Sequence, residues 1–435
     1  SEDKRLFIFG THYSNIIDQQ NNGGITTDTL FTSEFSSERT EIPTYLGSAS
    51  IRDQFKVFQV DTRYRLLGKD SVNTNSGLLL KYVLRSDQRK YKYSDSQLTD
   101  ASTAYYGALL TDERGVRNFI GLNRLINDIS LNVGSKPDRT LRAGLRNIIN
   151  KIDQEATSAT ITEWKAYGDA RWNFADRIAL QAMGELNINK ENASFLASGL
   201  ISANLGKAGR ISGQLKINQQ RPSLIERSLF VNQINVWDND FKNIFINELE
   251  TTYSIPSINF EVTGGQVLAN NKIYFNAQGY PIQQEGISSL VYLSIFKSFK
   301  LGSLLSENRV VLQRGSNNPV FRVPNWYTQH GIDLSGILFK KVLDFKTGFD
   351  LRINNQYLGY AYLPMVGQFA VEDKLNISLY PSLDFRSSFR VKYFRAFVMV
   401  HNILQPLRSD VYFQTSRYPQ PDLFLRLGIS WIFIN

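Results

Sequence analysis

The chain closes on LFLRLGISWIFIN, residues 423–435, and the alternation in that stretch decides the fold class. Leu423, Leu425, Leu427, Ile429, Trp431 and Phe433 fall on one face of an extended strand, because successive side chains point to opposite sides. Arg426, Gly428 and Ser430 form the middle of the other face, with Phe424 and Ile432 at its ends. One face is wholly apolar and carries aromatics near its end. A membrane-spanning strand of roughly ten residues with an interfacial aromatic has this pattern. A water-soluble sandwich can use such a strand too, so recurrence along the chain has to settle the matter.

The pattern recurs. Leu343, Phe345, Thr347, Phe349, Leu351 and Ile353 alternate with Asp344, Lys346, Gly348, Asp350 and Arg352. Leu379, Leu383, Phe385, Phe389 and Val391 alternate with Ser382, Asp384, Arg386, Ser388 and Arg390. Ile178, Leu180, Ala182, Leu186 and Ile188 alternate with Arg177, Gln181, Glu185 and Asn187, and Ile211, Leu215 and Ile217 with Arg210, Ser212, Gln214 and Lys216. Trp164, Ala166, Gly168, Ala170 and Trp172 alternate with Glu163, Lys165, Tyr167, Asp169 and Arg171. The two tryptophans of that strand stand roughly 27 Å apart along it, close to the apolar band of a barrel once tilt is allowed.

Composition narrows the class. The 435 residues could make two or three ordinary domains or one large barrel. A hydrophobic fraction of 42% and mean hydropathy of −0.26 would suit a soluble protein. Transmembrane barrels share such values, since only alternate residues meet lipid. No apolar run approaches the roughly 18 residues of a spanning helix. Cysteine is absent, which excludes disulfides, thiolate metal sites and cysteine nucleophiles. His12, His330 and His401 lie far apart without ligand spacing, so no metal or cofactor is expected. Aromatics at 12% fit interface girdles. The net charge of +9 admits a solvated basic surface, a lumen biased toward anions, or contact with acidic lipid headgroups. No Lys/Arg run suits nucleic acid. No signal peptide heads the chain, which opens Ser-Glu-Asp-Lys and reads as mature or trimmed.

Three features favour a barrel over a sandwich. The apolar faces carry small residues such as Ala166, Gly168, Ala170, Ala197 and Gly199, which pack a dry core poorly but are tolerated against lipid. No clear helical segment is available to cover a sheet. Connections alternate short and long, as barrel turns and loops do. Short ones fall at 134–138, 173–176, 205–209 and 340–342. Long ones, expected outside the cell, fall at 15–50, 92–115, 220–243, 315–328, 356–367 and 404–421. Counting back from the C-terminus predicts an all-β, antiparallel transmembrane barrel of about 18 strands, with sixteen to twenty admissible, as a single domain over 1–435. The first strand is expected near Arg5–Tyr13, with the last strand closing against it near Phe7 and Phe9. Only Ser1 to Lys4 precede that strand, which argues against the N-terminal plug of energised uptake barrels.

Parity then assigns faces. The basic residues expected in the lumen are Arg63, Arg65, Lys81, Arg142, Arg146, Lys165, Arg171, Arg177, Arg210, Lys216, Arg309, Lys346, Arg352, Arg386, Arg390 and Arg426. The acidic ones are Asp61, Glu163, Asp169, Glu185, Glu248, Glu250, Glu261, Asp333, Asp344, Asp350 and Asp384. Bases outnumber acids, which predicts a weak anion preference; pairing that simply holds the wall is the alternative. Trp164, Trp172, Phe345, Phe349, Phe385, Phe389, Trp431 and Phe433 are expected to face lipid. Same-face carboxylates such as Glu248 and Glu250 could serve acid–base chemistry, but a wet lumen produces such pairs routinely, and no catalysis is expected. Asp238-Asn239-Asp240 offers oxygens for Ca²⁺, yet the rest of a ligand loop is missing. The 220–243 loop holds Phe230, Val231, Ile234, Val236, Trp237 and Phe241, heavy apolar content for a free loop. It is expected to fold into the lumen or pack on a neighbouring loop, with docking of other outer-membrane proteins or lipoproteins as the alternative.

Several stretches carry a resemblance: Asn21–Asp28, RGVRNFIGLNRLINDISLNVG at 114–134, QRPSLIERSLFVNQINVWDNDFKN at 220–243, Leu338–Phe345, YLGYAYLPMVGQF at 357–369, and RYPQPDLFLRLGISWIF at 417–433. Together they resemble the putative porin family of Bacteroidota outer membranes. The resemblance implies an outer-membrane barrel, a passive pore and no enzymatic residues. Two departures accompany it: members carry additional sequence before the Asn-Gly-Gly-Ile region, and this chain ends in Asn435 rather than an aromatic. The expectation is a bacterial outer-membrane barrel, in contact with lipid and lipopolysaccharide, that passes small polar solutes. The alternative is a non-conducting barrel serving as a structural or accessory subunit of a larger outer-membrane assembly.

Overall fold

Short alternating segments separated by turns favour local antiparallel hairpins, and in the computed structural model eighteen such strands form one sheet. The structure describes residues 6–26, 42–68, 77–110, 112–136, 139–174, 177–189, 193–316, 319–340, 342–407 and 412–432. The strands are β1 (Leu6–Gln20), β2 (Ser50–Leu67), β3 (Gly77–Asp95), β4 (Val116–Lys136), β5 (Arg139–Gln154), β6 (Thr157–Phe174), β7 (Ile178–Asn187), β8 (Phe195–Asn204) and β9 (Arg210–Gln220). They continue as β10 (Ile244–Ile255), β11 (Phe260–Asn270), β12 (Ile287–Leu301), β13 (Leu304–Gly315), β14 (Trp326–Leu338), β15 (Leu343–Asn354), β16 (Ser382–Val391), β17 (Phe394–His401) and β18 (Phe424–Trp431). Each pairs antiparallel with the next, which makes the sheet an up-and-down meander.

Strand length divides the wall. β1 to β6 run 15 to 21 residues, while the later strands run 8 to 15. Inside the sheet, aromatic rings lie over glycines of the neighbouring strand. A Cβ at Gly144 would stand 2.5 Å from the Tyr167 ring, and one at Gly265 would stand 2.4 Å from that of Tyr292. Glycine at those two positions makes room for a ring laid flat on the wall.

The connections correct several expected boundaries. β1 runs to Gln20, beyond the expected Tyr13, so the first long connection starts later than residue 15. The 271–286 connection between β11 and β12 belongs to the long set and holds its own two short strands. The connection expected at 356–367 reaches Pro381. Among the described residues no ladder joins β1 to β18, so the expected closure beside Phe7 and Phe9 is not formed there.

The long connections fold together instead of trailing into solvent. Ile273–Phe275, Pro281–Gln283, Tyr357–Leu363, Gln368–Ile377, Phe413–Ser416 and Tyr418–Pro419 form a second sheet. Parallel bridges Phe275 to Ala370 and Tyr360 to Thr415 tie three different connections into it. The hairpin Ser228–Val231 with Ile234–Asp238 packs its Trp237 ring 6.2 Å from that of Phe275. Helix α1 (Asp100–Tyr106) is capped by Thr99, whose hydroxyl accepts from the Ser102 N–H at 3.2 Å.

Candidate functional site

Directly opposed residues in an antiparallel ladder project to the same side, so register assigns every strand once one ion pair is placed. Arg142 opposes Asp169 and lies 2.5 Å from it. Propagating that face around the sheet gathers Arg146, Glu163, Lys165, Arg171, Glu185, Arg210, Lys216, Glu248, Glu250, Asp344, Lys346, Asp350, Arg352, Asp384, Arg386, Arg390 and Arg426 on it. Arg177 departs from the expectation: it lies in the turn between β6 and β7 and lines no strand face. It precedes Ile178, the first residue of β7, by one position, and the turn ends the alternation there.

Ion-pair networks run along this face. In β4 to β7, Arg146 bridges Asp128 at 2.6 Å and Glu185 at 3.0 Å, and Lys165 reaches Glu185 at 2.8 Å. Tyr167 donates its hydroxyl to Asp128 at 2.5 Å and lies under the Arg146 guanidinium at 4.8 Å. In β14 to β17, Asp333 is 1% exposed and meets Lys346 at 3.1 Å and Arg386 at 2.9 Å. Arg386 also holds Asp350 at 2.6 Å, Arg390 pairs with Asp344, and Asp384 lies 3.4 Å from His401 and 3.9 Å from Arg352. Lys216 meets Glu248 at 3.0 Å, and Tyr292 donates to Glu250 at 2.6 Å. Most of the charge is thus paired along the wall. Among the described residues, Arg171, Arg210, Arg309 and Arg426 have no carboxylate within 4 Å, and Glu250, Glu261 and Glu307 have no Lys or Arg nitrogen within 4 Å.

Arg171 lines a cavity of about 550 Å³ together with Arg63, Lys81, Arg142 and Asp169. Asp61, 4% exposed, holds Arg63 and Lys81 at 3.0 Å each. Sequence reasoning missed Asp53, Arg85, Asp87, Arg89, Asp95, Arg124 and Asp128 on the same face. Their period-two signal was present, but the opposite face of β3 and β4 turns polar toward the loops and hides the alternation. Trp164, Trp172, Phe345, Phe349, Phe385, Phe389 and Trp431 lie on the face opposite the charges. The Phe349 and Phe385 rings meet at 5.3 Å. Phe433 lies outside the described residues.

Above the charged face stands a cap with one large buried core and two small satellite clusters among the described residues. Leu46, Ala49, Ile51, Tyr93, Tyr106, Leu109, Val116, Leu229, Val231, Trp237, Phe275, Met365, Val366 and Ala370 form one buried cluster. They come from five connections spread around the sheet and from strand ends facing inward, so the connections meet across the opening. Main-chain groups are satisfied there by side chains. Asn118 donates to the Met365 carbonyl at 2.7 Å, Trp237 to that of Ile225 at 2.9 Å, and Asn232 to that of Gly115 at 2.8 Å. Gln154 both donates to the Ser228 carbonyl and accepts from the Phe230 N–H. The Arg417 guanidinium stacks over Tyr45 at 4.6 Å and over Tyr105 at 5.3 Å. Burial pushes the Tyr105 and Tyr106 phenols above their ordinary range and that of Tyr418 up to about 12. Tyr106 therefore stays a donor, and it donates to buried Asp95 at 2.7 Å. From the 220–243 loop, Val231 and Trp237 belong to this core and Val236 packs against it, as packing on neighbouring connections requires, while Ile234 is exposed. Among the described residues no cluster of ligating side chains could hold a metal ion.

No curated protein matches the chain significantly. Solved structures do. The copper transporter OprC aligns with a TM-score of 0.66 at 10% identity, covering 90% of this chain and 67% of that one. The FrpB iron transporter from Neisseria meningitidis aligns at 0.64 and 11% identity, covering 98% and 69%. A ferric enterobactin receptor, PfeA from Pseudomonas aeruginosa, aligns at 0.66 and 10% identity, covering 98% and 67%. The chain spans about two thirds of the length of these proteins, and at such identity the likeness is one of fold. The sequence profile described as "putative porin" matches residues 1–435. With an 18-stranded antiparallel wall, one apolar face, one charged face and a full-length profile match, this chain belongs to the putative porin family and is a bacterial outer-membrane β-barrel.

Proposed function

We propose that the barrel is a passive pore for small polar solutes with a weak anion preference, and that the loop cap sets what enters. The observation that carries this reading is the charged inner face. Barrels of 16–18 strands are too wide for wall side chains to fill and leave an aqueous channel. Ion pairs line this one from the Asp128 network to the Asp333 network. Wall pairing neutralises most of the charge, and the surplus of unpaired guanidinium groups, such as Arg171 at the cavity near β6, biases the path toward anions. No step of chemistry is assigned to any residue.

A specific observation favours a second reading. The cap shares one buried core among five connections, and a core of that kind would suit a barrel kept shut, a structural or accessory subunit of a larger assembly. Proteoliposome swelling separates the two. Vesicles carrying the chain should swell in small sugars or amino acids and exclude large oligosaccharides under the pore reading. Vesicles that hold correctly folded barrel and do not swell in any solute would favour the accessory reading.

A further inference from the structure

The outward face changes chemistry along β2 to β5. Phe58, Leu84 and Leu125 end an apolar band, and charge begins beyond it, on the side of the long connections. Ladder register sets Lys56, Gln88, Asn123 and Lys151 in one row across these strands. The next row holds Gln54, Lys90, Gly121 and Asp153, and the one after it Arg52, Lys92 and Phe119. Arg117 follows beside Ser94. Gln88 donates to Asn123 at 2.9 Å, which shows the side chains of one row meeting on that face. By contrast, among the described residues Lys297 and Arg314 are the only Lys, Arg, Asp or Glu on the outward face of β7 to β18.

The patch is strongly positive. Arg52 pairs with Asp18 at 2.6 Å, both exposed, and Lys151 lies 3.9 Å from Asp153. Among the described residues Lys56, Lys90, Lys92 and Arg117 have no carboxylate within 4 Å. Rows about 7 Å apart on strands about 4.8 Å apart bring several ammonium and guanidinium groups within reach of one phosphate. A groove of about 470 Å³ opens between Asp18, Gln20, Arg52 and Lys92. In the outer membrane this surface stands just outside the hydrocarbon, where the outer leaflet presents its headgroups.

We propose that the outer wall of β2 to β5 binds the phosphorylated headgroup of an outer-leaflet glycolipid. Acyl chains would lie on the apolar band ending at Phe58 and Leu125, and the phosphates would sit among Lys56, Lys90 and Lys92. Charge complementarity and direct continuity with the lipid-facing band select this occupant, since an acidic protein would find no apolar anchor that lipid does not already cover. The proposal rests on the outer-membrane location and not on whether the pore conducts.

The test uses the full chain in phosphatidylcholine nanodiscs doped with diphosphoryl lipid A or with its dephosphorylated form. Native mass spectrometry after detergent release counts glycolipid per barrel. The phosphorylated form should be retained about fivefold better, and K56E/K90E/K92E should lower retention about tenfold, as screening-sensitive charge contacts require. Lys297→Glu, at the opposite end of the wall, should change nothing. If the triple variant fails to fold by heat-modified gel mobility, Lys90→Gln with Lys92→Gln replaces it and should still weaken retention. Equal retention of both lipid forms, unchanged retention by a folded variant, or displacement of the glycolipid by inorganic phosphate at equal concentration would each overturn the proposal.

Discussion

The wall and the cap are built on opposite principles. In the wall, each strand meets its neighbour through a local hairpin, and main-chain ladders with a period-two division of side chains supply the order. In the cap, segments hundreds of residues apart meet through buried side chains: Asn118 reaches Met365, Tyr105 reaches Tyr362, and Leu229 shares a core with Tyr93. The difference teaches that the wall is ordered by ladders, whereas the cap is packed like a small soluble core that sits on a barrel.

The largest effect should come from the seam of the wall. Unpaired main-chain groups in hydrocarbon cost several kcal/mol each, so in lipid β1 should be paired along its free side. Cysteines placed at Ile8 and at Leu427 or Ile429, all on the lipid side, should crosslink within one chain in vesicles. Crosslinking only between chains would show that the wall closes by another route.

In the cap, Trp237→Ala removes a 6% exposed ring from the shared core and should cost about 3–5 kcal/mol. Hydrogen exchange should quicken in 228–238 and 363–371 together, while the ladders of the wall keep their protection. If the wall loosens equally, the two regions are one cooperative unit and the contrast drawn above is wrong.

Phe349→Arg sharpens the comparison from the wall side. An arginine near mid-bilayer should cost roughly 2–4 kcal/mol in reversible unfolding from lipid. Asp350→Ala on the other face should do less, because Arg386 keeps Asp333 as a partner at 2.9 Å. The reverse order would invert the register of β15.

The wall was legible because its rule is local. Parity over Leu343–Ile353 or Glu163–Trp172 assigns faces without knowledge of any partner strand. Strand β3 was harder, since Gln88, Lys90 and Lys92 make its outer face as polar as its inner one beyond the membrane. The cap was legible only as an anomaly, the apolar weight of the 220–243 loop. Its parallel bridges, such as Phe275 to Ala370, leave no periodic trace in either segment. The 271–286 hairpin was hidden for the same reason, being too short for alternation to register.

The smallest effect concerns selectivity. Arg352, Arg386 and Arg390 lie on adjacent strands of the inner face, and replacing all three with glutamine should lower the anion-directed reversal potential in a salt gradient. The shift should be a modest one, fading as the screening length falls from about 10 Å at 0.1 M salt to about 3 Å at 1 M. Cation preference in the unmodified chain would keep the pore and remove the charge argument.

Single-channel recording of the full chain beside Trp237→Ala tests the central claim most directly. A water-filled lumen beneath a separately folded cap predicts a small, flickering conductance that rises and steadies in the variant. Folded, inserted barrel that passes no current in either form would contradict the account.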